Sequence, residues 1–192
     1  MENFKIDIDA DGIATVAFDV PGRSMNTLTS AVIAEIPALV EKIKTDDAIK
    51  GVVLTSGKTT GFCAGADLGD MASGMLAGGG DLQKAFDTGW ALNGAFRALE
   101  PSGKPVAAAI NGLALGGGLE FTLACHYRVA TKEAKLGLPE VKLGLLPGAG
   151  GTQRLPRAIG PEMAVKMIVT GDPIGAAEAL KNGLIEEIVE GP

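Results

Sequence analysis

The stretch Pro105–Cys125, PVAAAINGLALGGGLEFTLAC, limits what the chain can fold into more than any other part of it. A short apolar run, Val106–Ile110, ends at Asn111-Gly112. The triple glycine Gly116-Gly117-Gly118 follows, and Leu119–Ala124 resumes with helix-forming residues. The order reads as strand, tight turn and helix start. Three glycines at a helix N-terminus clear side chains away from backbone N–H groups that have no helical acceptor, at the positive end of the helix dipole. Such a place can hold an anion, or an oxygen that becomes negative during a reaction. Glu120 lies one turn further in, where a carboxylate either offsets the dipole or serves as an acid/base group.

The rest of the chain alternates strands and helices around this stretch. Phe4–Ile8 and Ile13–Phe18 alternate apolar and polar residues across the turn Ala10-Asp11-Gly12, which predicts a β-hairpin. Thr29 is placed to cap a helix whose apolar face carries Val32, Ile33, Ile36, Leu39, Val40 and Ile43. Pro37 should kink that helix or delay its start. Gly51–Thr55 reads as a buried strand and Lys58–Asp70 as a Gly- and Ala-rich loop. Met71–Asp81 has a flexible composition and is expected to be mobile. Leu82–Leu99 reads as a helix with Trp90 in the core. Tyr127–Ala130 and Lys135–Leu138 are extended. Helices follow at Thr152–Ile159, Pro161–Val169 and Ile174–Asn182, and Leu184–Val189 is a closing strand. This spacing implies βαβ units, a largely parallel sheet and helices packed on it, within one α/β domain covering residues 1–192.

Composition excludes several functions. The formal net charge is −6 with no basic run, so nucleic acid is not an expected partner. The two cysteines, Cys63 and Cys125, form no CxxC and no metal spacing, so free thiols in a reducing, cytoplasmic compartment are expected. The N-terminus has neither signal-peptide nor transit-peptide order, and no apolar run reaches the length of a membrane span. Gly148-Ala149-Gly150-Gly151-Thr152 resembles a phosphate loop but lacks the Lys-Ser/Thr of a P-loop, and no GxGxxG occurs, so neither nucleotide hydrolysis nor NAD binding is expected. His126 has no Ser or Cys at nucleophile spacing and reads as structural. Cys63 reads as an inert buried thiol.

Two further stretches share the style of the first. Phe62-Cys63-Ala64-Gly65-Ala66-Asp67 puts small residues after a strand. Leu138-Pro139-Glu140-Val141 sets a carboxylate beside an apolar turn. Two loops that expose backbone N–H groups can hold a carbonyl oxygen as it becomes an enolate, and two nearby carboxylates can move protons at the adjacent carbons. From residue types alone, Glu120 and Glu140 could equally be surface charges.

Taken together and in order, SMNTL, FCAGADL, NGLALGGGLE and LPEVKLGLLPGAGGTQRLPR resemble the enoyl-CoA hydratase/isomerase family, the crotonase superfamily. SMNTL and TGFCAGADL look most like the hydratase part of multifunctional fatty-acid oxidation proteins, in which a 3-hydroxyacyl-CoA dehydrogenase part follows. The resemblance implies repeated ββα units, with a parallel sheet flanked by helices and a C-terminal helical region that is missing here. It implies an oxyanion hole from the N–H groups of Ala66 and Gly117, and two catalytic glutamates, Glu120 activating water and Glu140 giving a proton to the α-carbon. The acyl-CoA substrate would lie along Ala64, Asp67, Leu68, Gly116, Pro139 and Gly148, with Arg23 or Lys58 meeting phosphate. For Arg23 and Lys58 a solvated surface charge is the competing reading. Met71, Met75 and Leu76 either line an acyl pocket or belong to a disordered loop. No cofactor is implied beyond the coenzyme A of the substrate itself, and a homo-oligomer or a larger multifunctional chain is expected. Two other functions stay open: a Δ3–Δ2 enoyl-CoA isomerase, which needs no activated water, and a non-catalytic acyl-CoA-binding fragment.

Overall fold

A computed structural model describes residues 1–78 and 81–190. The hairpin forms as the alternation requires: β1 (Phe4–Ile8) pairs antiparallel with β2 (Ile13–Phe18), Phe4 opposite Phe18. Helix α1 (Ser30–Thr45) starts immediately after Thr29, whose hydroxyl accepts from Val32 N at 3.2 Å. Pro37 sits inside this helix and does not delay its start. Replacing Thr29 by alanine leaves that N–H without its cap and should cost about 1 kcal/mol, read as a lower denaturant midpoint with an unchanged slope.

Beyond α1 the chain repeats a strand–strand–helix pattern. The units are β3 (Gly51–Ser56), β4 (Gly61–Cys63) and α2 (Leu68–Gly78), followed by α3 (Leu82–Leu99); then β5 (Val106–Ile110), β6 (Leu113–Leu115) and α4 (Gly117–Leu123); then β7 (Tyr127–Thr131), β8 (Lys135–Gly137) and a 3-10 helix, Pro139–Leu143. The first strand of each unit enters one sheet and the second enters another. Among the described residues these sheets run β1-β2-β3-β5-β7-β10 and β4-β6-β8-β9, where β9 is Ile174–Gly175 and β10 is Glu187–Val189. Pairings other than β1–β2 and β8–β9 are parallel. A single sheet read from strand spacing therefore resolves into two, because the turn at Asn111-Gly112 hands the chain from one to the other. Helices α5 (Gly151–Ile159), α6 (Pro161–Thr170) and α7 (Ala176–Lys181) complete the fold.

Helix α4 is the centre of the molecule, and every residue in it is buried. Phe121 on α4 stacks on Phe96 of α3 at 4.8 Å and meets Phe4 of β1 edge-on at 6.5 Å. Val32, Ile36, Leu39, Val40 and Ile43 of α1 are buried in the same core as Val16, Val52, Leu54 and Val106 of the first sheet. A helix buried on all sides, as α4 is, needs such surroundings. His126 is structural, as its sequence context suggests: its Nδ1 accepts from Val106 N at 3.0 Å, so Nε2 carries the proton and donates to Glu100 O at 2.9 Å.

Several expectations change. Residues expected to be mobile at 71–78 are helical in α2, while 79 and 80 lie outside the described residues, as do the side chains of Met75 and Leu76. The loop read at Lys58–Asp70 contains β4 and the start of α2. The helix read from Ile174 begins at Ala176, and the closing strand shortens to Glu187–Val189. Trp90 is not in the core: it is 61% exposed and stacks on Phe86, itself 62% exposed. Ala95, Phe96 and Leu99 carry the buried face of α3 instead.

Candidate active site

Three chain segments leave the second sheet side by side, because β4, β6 and β8 are neighbours in it. After β4 comes Ala64–Asp67, after β6 comes Gly116-Gly117, and after β8 comes Leu138–Glu140. The fold thus brings together residues more than 70 positions apart at equivalent points of three successive units.

The segment Asn26–Leu28 fixes the first of them. Asn26 is fully buried; its side chain accepts from Val20 N and donates to Phe18 O and Phe62 O. Its own carbonyl accepts from Ala64 N at 2.9 Å, Leu28 N donates to Gly65 O at 2.8 Å, and Asp67 N donates to Leu28 O at 3.1 Å. These bonds leave the N–H of Ala66 between them with no acceptor among the described residues. The N–H of Gly117, at the start of α4, also has none. A Cβ placed on Gly65 would stand 3.6 Å from Gly117 N, and one on Gly117 would stand 3.9 Å from Ala66 N. Two bare backbone donors therefore sit together, as an oxyanion site requires.

Both glutamates are at this place and neither is a surface charge. Glu120 is 2% exposed. Its Oε1 accepts from Ala149 N at 2.8 Å and from Gly151 N at 2.7 Å, both in the turn that opens α5. Burial, helped by the nearby Glu140 charge, pushes its carboxyl up to about 7 against the pull of those two N–H groups and of Arg154. Glu140 lies in the 3-10 helix, with Oε1 3.1 Å from where a Cβ on Gly116 would stand, and Oε2 is buried without a hydrogen-bond partner. Burial raises its pKa also. Both carboxyls are thus raised chiefly by burial, and at Glu120 the neighbouring Glu140 charge adds to the rise.

The cost of charging Glu120 should appear in stability. Its ordinary value is 4.5 and its folded value is about 7. Between the two the folded protein binds more protons than the unfolded chain, so stability falls as pH rises through that window, by about 3 kcal/mol in all. Glu120→Gln keeps an acceptor for both N–H groups and has nothing to titrate. Its unfolding free energy should lack that slope in denaturant titrations across the window; an unchanged slope would refute the assignment.

The remaining predicted residues line or surround the site in different ways. Ala64 and Leu68 are exposed beside it, while Ala64 N is already committed to Asn26. The Asp67 carboxyl accepts from Asp70 N and from Arg23 Nη1 at 2.5 Å, and these hold it below its usual range. Arg23 remains 45% exposed. Lys58 is neither a free phosphate ligand nor a solvated charge: its side chain is 13% exposed, pairs with Asp19 at 2.6 Å and donates to Val20 O. Gly116 is buried and bonded to Gly137 O, Pro139 opens the 3-10 helix, and Gly148 is exposed on the turn beyond. Cys63 is fully buried with its thiol pushed up to about 12 by burial. Sequence reasoning missed Asn26 as an organiser and the Ala149–Gly151 turn as the holder of Glu120. The turn's glycines were visible, but they read as a failed phosphate loop, because the carboxylate they grip lies about 30 residues away in sequence.

The chain is similar to known proteins in sequence and in fold. The sequence pattern of the enoyl-CoA hydratase/isomerase family matches residues 9–191. The fatty acid oxidation complex subunit alpha of Idiomarina loihiensis is 47% identical over 188 residues, which is 97% of this chain and 26% of that one. The chain thus spans about a quarter of the length of the curated relatives it matches. Among solved structures, an enoyl-CoA hydratase from Bacillus anthracis superposes with a TM-score of 0.87 at 37% identity, over 97% of this chain and 70% of that one. One from Geobacillus kaustophilus gives 0.89 at 33% identity, over 98% and 68%. The chain belongs to the enoyl-CoA hydratase/isomerase family.

Proposed function

We propose that this chain hydrates trans-2-enoyl-CoA thioesters to 3-hydroxyacyl-CoA, as the hydratase part of a multifunctional fatty-acid oxidation subunit. The observation that carries this reading is the pairing of two carboxyls in unlike surroundings beside two bare N–H groups. The thioester oxygen accepts from Ala66 N and Gly117 N, which favours enolate character as the α- and β-carbons become polarised. Above its value of about 7 Glu120 carries a negative charge, held by its two N–H donors. Glu140, raised by burial and with no donor to hold a charge on Oε2, is assigned the transferable proton. Glu120 takes a proton from water as the water oxygen bonds to the β-carbon, and Glu140 delivers its proton to the α-carbon. The pair ends with one proton, as it began, so no separate cofactor enters the proton count.

Ala64, Leu68, Gly116, Pro139 and Gly148 are the surfaces along which we place the thioester arm, with Arg23, half-exposed though paired with Asp67, the cation for phosphate. Among the described residues no helix is long and apolar enough to cross a membrane. The two free cysteines fit a reducing compartment, and we assign the enzyme to the cytoplasm. The test is the disappearance of the conjugated enoyl absorbance of crotonyl-CoA on mixing with folded protein. Turnover that yields 3-hydroxybutyryl-CoA supports the proposal. A folded chain that binds crotonyl-CoA and leaves it unchanged overturns it.

A further inference from the structure

The turn that holds Glu120 is itself held from behind. A trans peptide points its C=O and its N–H in opposite directions, so fixing one aims the other. In the peptide joining Gly148 to Ala149, the N–H reaches Glu120 and the C=O accepts from Nδ2 of Asn93 on α3. In the peptide joining Gly150 to Gly151, the N–H reaches Glu120 and the C=O accepts from Gln153 N and Arg154 N in the first turn of α5. The peptide between them is fixed by Arg154, whose Nη1 donates to Ala149 O at 2.8 Å. Arg154 is only 15% exposed, and its Nε is paired with Glu100 at 2.5 Å. Gly150, at φ +97, leaves the space the guanidinium fills: a Cβ there would fall 2.0 Å from Arg154 Nη1.

We propose that Arg154 and Asn93 are positioning residues for the carboxylate of Glu120: they fix the carbonyls of the Gly148–Gly151 turn from outside and so aim two N–H groups at Glu120. The inference rests on the hydratase reading for its catalytic consequence, though not for its geometry. The charged groups that face Glu120 are Glu140 from the 3-10 helix and Arg154 from α5. Glu100 reaches it only through Arg154. Removing Arg154 takes away both a pin and a positive charge. Removing Asn93 takes away a pin alone.

The direct test is the titration of the Glu120 carboxyl by carbon NMR, with the signal assigned by its loss in Glu120→Gln. Arg154→Met should raise the midpoint by about one pH unit. Asn93→Leu, which changes no charge, should raise it in the same direction by a smaller step. Arg157→Met, on the same helix but with its side chain bonded, among the described residues, to Gln153 alone, should leave it in place. In the enoyl assay, Arg154→Met and Asn93→Leu should each lower kcat about tenfold or more with little change in KM, and Arg154→Lys should restore only part of the loss. An unmoved Glu120 midpoint in folded Asn93→Leu would overturn the proposal, as would equal losses in the Arg157 control. Because the midpoint is read without substrate, the proposal can stand or fall even if the parent shows no hydration.

Discussion

Glu140→Gln should lower crotonyl-CoA hydration about a thousandfold, within the range that one positioned acid/base group supplies. Glutamine matches glutamate in shape, so the 3-10 helix and the approach to Gly116 are kept while the transferable proton is lost. The loss should therefore fall on kcat, with KM close to the parent's, because the substituted group acts on the reacting carbons and the thioester oxygen keeps its backbone donors. A second consequence separates the two glutamates. Glu120→Gln should abolish water addition as well, while any shift of a double bond that needs only one proton carrier should survive it. A Glu140→Gln enzyme within a few-fold of the parent would mean that Glu140 is not the proton donor, whatever its burial.

Gly118→Ala should have the largest effect on the fold. A Cβ there would stand 2.5 Å from Cys63 O and 2.8 Å from Cys63 Cβ, and neither can move aside, because Cys63 is in β4 and α4 is buried all round. The cost should be about 3 kcal/mol or more, lowering the melting temperature by about 10 °C for a chain of this size. Gly175→Ala is the contrast, with nothing within 4 Å of its Cβ, and should stay within about 0.5 kcal/mol of the parent. Similar melting temperatures for the two variants would refute the idea that α4 is placed by direct backbone contact with β4.

Much of this arrangement was legible in the chain because it is written locally. The hairpin, the Thr29 cap, the strand before Asn111 and the glycines before Glu120 each depend on neighbours a few residues apart. The two glutamates and the two bare N–H groups could be named from short motifs and a family resemblance. What stayed hidden depends on long-range contact. Nothing near Arg154 shows that it reaches Glu100, and nothing near Gly148 shows that its carbonyl faces Asn93. The exposure of Trp90 was misread for the same reason: hydrophobicity says that a side chain gains from burial, and only the packing of α3 through Ala95, Phe96 and Leu99 decides which face is covered. The second sheet was missed because β4, β6 and β8 are three residues each, too short for alternation to show.

The division of labour at the three strand ends bears on how such a protein can change over generations. The oxygen-holding groups belong to the main chain, so a single base change in the gene can crowd them but cannot replace them with something else. The proton-moving groups are two side chains, each open to substitution. A lineage built on this frame inherits the handling of the thioester as a fixed asset and can explore new outcomes for the bound intermediate one codon at a time.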